Sequence, residues 1–202
     1  MVTFKIYIEG GGDSSAEGGQ FRQAWQAFFA KAGLQGRMPA VVRGGGRQQT
    51  FDRFCHAVAN PRGREVPLLL IDSEDTVAAS ATAWQHLRER DGFVRPDSAA
   101  DDQAFLMVQV METWFLADRA ALGGFFGADF RGSAVPTWTA LESVAKANVL
   151  GALDSATVGC KRRYAKGRRS FELLCEVEPA VVAQACPHAA ALLVRLRGWA
   201  VA

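Results

Sequence analysis

Apolar and polar positions alternate from Val2 to Ile8, and the partly β-branched composition of that stretch predicts a strand. A Gly/Ser loop follows. "QFRQAWQAFFAKAG" then sets Phe21, Trp25, Phe28 and Phe29 at helical spacing, predicting a helix that ends at Gly33. The same order recurs. "MPAVVRGGG" predicts a short strand between a proline and glycines, and "QTFDRFCHAVAN" places Phe51, Phe54, Cys55 and Val58 on one helical face. "VPLLLIDSE" is apolar without interruption from Val66 to Ile71, the pattern of a strand covered on both faces in a parallel sheet. After it, "DTVAASATAWQHLRER" predicts a helix capped by Asp75 or Thr76, and "AFLMVQVMETWFLADRAAL" runs from a strand into an amphipathic helix in which Trp114, Phe115 and Leu116 are core.

This β-α alternation predicts an α/β fold, a mainly parallel, Rossmann-like sheet flanked by helices. From Gly123 the pattern changes: Gly, Phe and Pro punctuate "GGFFGADFRGSAVP", and the chain after Pro136 reads as helices separated by the basic loop "KRRYAKGRR". The expected division is an α/β domain over 1–122 and a mostly helical elaboration over 123–202 packed on it.

Composition narrows this little. With 202 residues and 49% hydrophobic content the chain can bury a sizeable core, and a net charge of +2 is too mild to indicate nucleic acid by itself. Cys55, Cys160, Cys175 and Cys186 lie far apart with no metal-ligand spacing, so reduced, mostly packed thiols are expected; His56, His86 and His188 share no ligand spacing either. No signal-peptide pattern and no apolar window of about 20 residues is present, so a cytoplasmic protein without a membrane span is expected.

The chemistry lies in the acids. In an open α/β sheet, ligands gather beyond the carboxyl ends of the strands. Glu9 ends the first strand beside Gly10, Gly11 and Gly12, and Asp72 and Glu74 end the central one. If those strands are neighbours, the three carboxylates converge. Like charges held together repel unless a cation offsets them, and Mg²⁺ or Mn²⁺, hard ions that take oxygen ligands, are the natural choice. Asp13 is a turn residue or a further partner. Glu112 closes "LMVQVM" as a candidate additional metal ligand, or as an acid opening a helix.

A glutamate closing the first strand in "IYIEGGGD" and an acid-x-acid pair in "LLLIDSE" resemble the Toprim domain of topoisomerases, bacterial primases and nucleases of the overcoming-lysogenization-defect type. Within that superfamily the chain is similar to the family called domain of unknown function 4276, through "GGGRQQTFDRF", "DDQAFLMVQVMETWFLAD" and "YAKGRRSFELL". The resemblance implies a general acid/base at Glu9, metal ligands at Asp72 and Glu74, and a charge-offsetting lysine, Lys166, before the "FELL" helix. The more usual acid pair is Asp-x-Asp, so Glu74 is a departure that could shift the metal site. The resemblance further implies a nuclease working with a separate ATPase partner in antiviral defence; the chain has no P-loop of its own.

Basic residues supply candidate contacts to nucleic acid. Arg43 and Arg47 flank a triple glycine at the start of a helix, suited either to phosphate or to a tight turn. Lys161, Arg162, Arg163, Lys166, Arg168 and Arg169 crowd around Tyr164, which suits phosphate contact plus stacking on a base or sugar. The expected activity is a Mg²⁺-dependent phosphodiesterase cleaving DNA or RNA. Its rivals are a non-cleaving nucleic-acid-binding or assembly subunit, and an enzyme acting on small nucleotide phosphates.

Overall fold

The structure is a computed structural model and describes residues 3–10 and 15–198; Asp13 lies outside the described residues. Strand β1, Thr3–Glu9, leads to helix α1, Ser15–Phe29, which widens over Ala30–Leu34 and stops where Gly33 takes a left-handed φ of 83°. Strand β2, Ala40–Gly45, is followed by α2, Arg47–Ala59, and strand β3, Glu65–Asp72, by α3, Ala83–Asp91. Strand β4, Ala104–Met107, precedes α4, Glu112–Ala117, and α5, Arg119–Phe126. Beyond these lie α6, Lys146–Thr157; α7, Arg168–Glu176; α8, Pro179–Ala185; and α9, Pro187–Arg197.

The four strands form one parallel sheet in the order β2-β1-β3-β4. Alternation along the strands divides the apolar side chains between two cores. Phe4, Ile6 and Ile8 of β1, Leu68 and Leu70 of β3, and Phe105 and Met107 of β4 join one core with α1 and the helices after α3; Tyr7, Leu69, Ile71 and Leu106 join the other with α2 and α3. The expected α/β class with a helical C-terminal part is therefore present. That part packs through α7 on α1 and through α9 on β4, sharing the first core with the sheet.

One expected element is displaced. The helix placed directly after the central strand, with Asp75 or Thr76 as cap, begins instead at Ala83. Thr82 caps it: its hydroxyl accepts from the Gln85 N–H at 3.1 Å, while the Gln85 side chain accepts from the Thr82 N–H at 2.7 Å. Between strand and helix the chain runs irregularly, tied at its start by the Ser73 N–H to the Met107 carbonyl at 2.9 Å and by His86 Nε2 to the Ser73 carbonyl at 2.9 Å. Asp75 is exposed and pairs with Arg90.

Candidate active site

Glu9 and Asp72 end adjacent parallel strands at the same edge of the sheet. Asp72 continues the face of Leu68 and Leu70, so its carboxylate turns toward the larger core, where its Oδ1 accepts from the Met111 N–H at 2.9 Å. The β1–β2 register shifts between Ile8 and Glu9, and there Glu9 Oε2 accepts from the Asp72 N–H at 3.1 Å and from Arg47 Nη1 at 3.3 Å. The glycine after Glu9 has a steric reason. A Cβ on Gly10 would stand 2.6 Å from Phe21 Cε2, so any larger residue would collide with the ring that roofs this end of β1.

A cavity of about 410 Å³ opens here, lined by Glu9, Asp72, Glu74, Glu112, Lys166 and Ser170, with Phe21, Met107, Met111 and Phe171 as its apolar wall. Glu74 reaches it from a left-handed backbone, φ 65°, unusual for a residue with a side chain. Its N–H is held by the Gln109 carbonyl at 2.8 Å, and its carboxylate pairs with Lys146 at the start of α6, whose own N–H donates to the Gln109 side chain at 3.0 Å. Glu112, 3% exposed at the start of α4, accepts from the Tyr164 hydroxyl at 2.6 Å and lies 3.6 Å from Lys166 Nζ. Tyr164 in turn meets the Ser170 hydroxyl at 2.9 Å. The segment from Tyr164 to Ser170 thus folds around Glu112, which brings Lys166 to the cavity rim.

The acids repel one another. Burial, then the charges of Glu9 and Glu112, push the Asp72 carboxyl well above the usual carboxylate range, although the open cavity leaves part of its surface wet. Burial also raises Glu9, against the lowering effect of Arg47 and the Asp72 N–H. Tyr164 is held as a neutral phenol by burial and by the neighbouring Glu112. An all-carboxylate donor set with such mutual repulsion fits a hard divalent cation. As the side chains stand, however, no three Asp, Glu, His or Cys residues among those described form a ready cage. Glu74 is drawn to Lys146, and Glu112 to Tyr164 and Lys166.

The structure brings Glu9, Asp72, Glu74, Glu112 and Lys166 to one cavity, while several of the candidate basic residues are engaged by protein partners. Arg47 is turned inward: its fork is engaged by Asp91, Glu9 and the Asp72 carbonyl. Arg43 lies against the Gly10 carbonyl at 3.3 Å and over the Phe21 ring. In the basic loop Arg163 pairs with Asp154, and Arg168 and Arg169 pair with Glu172; Arg162 lines a separate groove with Phe125 and Phe171. Tyr164 is no stacking platform, because its ring is buried and its hydroxyl is committed to Glu112. His188 pairs with Glu142, and the four cysteines are free thiols, two of them buried.

Sequence reasoning missed Lys146, Ser170, Gln109 and Asp91. Lys146 and Gln109 carry no local signal, since their roles come from contacts across the fold. Ser170 stands inside the "YAKGRRS" string. Among the described residues no helix is long and apolar enough to cross a membrane. No curated protein and no solved structure matches the chain. A family model described as a domain of unknown function (DUF4276) matches residues 8–197, nearly the whole length, and the chain belongs to that family.

Proposed function

We propose that this cavity is a divalent-cation-dependent phosphodiesterase site, and that the protein is a nuclease related to the Toprim enzymes. The observation that carries this reading is the convergence of Glu9 and Asp72 from adjacent strands, with Glu74 and Glu112 beside them, on one cavity that also holds a lysine. Glu9, Asp72 and Glu74 would hold Mg²⁺ or Mn²⁺, with Glu112 in support. The ion would offset the clustered negative charge and polarise a phosphoryl oxygen.

The chain's own groups supply the rest. Glu9 is fixed through Oε2, and burial raises its carboxyl above the ordinary carboxylate range, so Oε1 is placed either to hold the cation or, left unligated, to accept a proton. Lys166, half-exposed at the rim, is placed to meet a phosphate oxygen. Phe21, Met107, Met111 and Phe171 exclude water from one side. Glu74 must leave Lys146 before it can serve an ion. Nucleic acid as ligand, a separate ATPase partner and a role in antiviral defence belong to the same proposal and rest on the Toprim resemblance.

A second reading, an enzyme of small nucleotide phosphates, is favoured by one observation. Arg163, Arg168 and Arg169 are already paired with acids, which weakens the basic track that a polymer would follow. Incubating labelled DNA, RNA and mononucleotides with Mg²⁺ or Mn²⁺, beside Glu74→Ala, separates the readings. Metal-dependent cleavage of a polymer that Glu74→Ala loses is expected; turnover of mononucleotides alone would select the second reading, and no turnover of any substrate would overturn both.

A further inference from the structure

Arg47 opens α2 directly after Gly44, Gly45 and Gly46. Two of these glycines are required, one by packing and one by backbone conformation. A Cβ on Gly44 would lie 2.2 Å from Thr50 Oγ1, and Gly45 has a left-handed φ of 93°. This tight turn delivers the guanidinium beneath the ends of both acid-bearing strands. Its Nε and Nη2 donate to Asp91 Oδ1 and Oδ2 at 2.9 and 2.6 Å, a bidentate pair, and Nη1 donates to Glu9 Oε2 at 3.3 Å and to the Asp72 carbonyl. Asp91 ends α3, where Gly92 turns the chain with φ 71°, and Arg90 also donates to Oδ1 of the same carboxylate.

We propose that Arg47, clamped by Asp91, is the positioning residue of Glu9: it fixes the orientation of that carboxylate toward the cavity. The inference rests on the cation-site reading above. An ion pair serving stability alone would end at Asp91, and buried pairs add little net stability. Here the third arm of the fork crosses to Glu9 and to the strand end that carries Asp72. With Oε2 held by Arg47 and the Asp72 N–H, Glu9 has one oxygen, Oε1, with no protein partner among the described residues. A lysine could not reproduce this, because a point charge cannot grip Asp91 with two parallel bonds and still direct a third.

The alternative is that Arg47 is only a countercharge for the acids, and the two roles differ in sign. Removing a mere countercharge leaves the site more negative and tightens cation binding. Removing a positioning group loosens it, by about 10- to 100-fold where a residue orients a ligand of the ion. Mn²⁺ affinity is therefore measured by calorimetry on the full chain for the parent, Arg47→Met, Arg47→Lys, Glu9→Gln and the Arg47→Met/Glu9→Gln double variant. Both Arg47 variants are expected to bind more weakly, and the double variant no more weakly than Glu9→Gln alone. Arg47→Met binding as tightly as the parent or tighter, or Arg47→Lys binding like the parent, overturns the proposal. If the parent itself binds no Mn²⁺, the cation reading falls, and thermal unfolding decides Arg47 separately. Non-additive shifts of Arg47→Met and Glu9→Gln in the unfolding midpoint, with Arg47→Lys failing to restore the parent midpoint, support the positioning contact; additive shifts, or a parent-like midpoint in Arg47→Lys, overturn it.

Discussion

The backbone N–H of Asp72 donates to Glu9 Oε2 at 3.1 Å, so the two acids that end neighbouring strands are joined by a hydrogen bond as well as opposed by charge. The bond holds the carboxylates together against repulsion, and both are pushed upward in pKa, burial first and charge after it for Asp72. A folded-state carboxyl raised above its unfolded value contributes stability that is fully present below about pH 4, where unfolded carboxylates titrate, and is lost as the pH climbs through the raised folded value. Melting temperature without divalent cations is thus expected to fall as the pH rises above the ordinary carboxylate range, and the fall should be shallower in Asp72→Asn. Asp91 acts in the opposite sense: burial works against its ionisation, but the Arg47 hydrogen bond and charge hold it below the usual range. The comparison with Asp72→Asn isolates the cavity. Equal slopes in parent and variant would show that Asp72 carries no such burden.

Lys146 occupies Glu74 in the absence of an ion. Replacing it with methionine removes a competitor without touching a carboxylate, so Lys146→Met should bind Mn²⁺ more tightly than the parent, the opposite of the effect expected at Arg47. A titration showing weaker binding would mean that the lysine orders Glu74 and does not compete for it.

Tyr164→Phe keeps the ring and deletes the hydroxyl that Glu112 and Ser170 share. Leaving a buried carboxylate short of a donor costs at least about 1–3 kcal/mol. Urea unfolding should register that loss with an unchanged m-value, and an unchanged midpoint would show that Glu112 is satisfied from elsewhere.

The arginines of the basic loop should matter little to stability, because exposed ion pairs such as Arg163–Asp154 contribute about 0–1 kcal/mol each. If a polymer binds there, replacing Arg162, Arg163, Arg168 and Arg169 with alanine should weaken affinity and flatten its dependence on salt. An unchanged salt slope would leave the loop as surface.

The parts legible in the sequence were those fixed by period and strand ends. An uninterrupted Val66–Ile71 run in a β-α alternation announces a buried parallel strand, and acids at the ends of two such strands share an edge once the strands are neighbours. The start of α3 was legible too, in the capping pair Thr82 and Gln85, but the alanine-rich run before it suggests helix by propensity, and the tie of Ser73 to Met107 overrides that preference. The inward turn of Arg47 could not be read, because Asp91 stands 44 residues away and only the packing of α2 beside α3 joins them. Tyr164 misled for a related reason: a phenol amid arginines looks exposed until a buried glutamate is found to accept its hydrogen bond.

On the proposed reading, Glu9, Asp72 and Glu74 jointly hold a divalent cation. Anomalous diffraction at the manganese edge, from crystals grown with Mn²⁺, tests it most directly. An anomalous peak is expected in the cavity bounded by the Glu9, Asp72 and Glu74 carboxylates, with Glu74 released from Lys146. Crystals saturated with Mn²⁺ that show no peak there, and Glu74 still paired with Lys146, would contradict it.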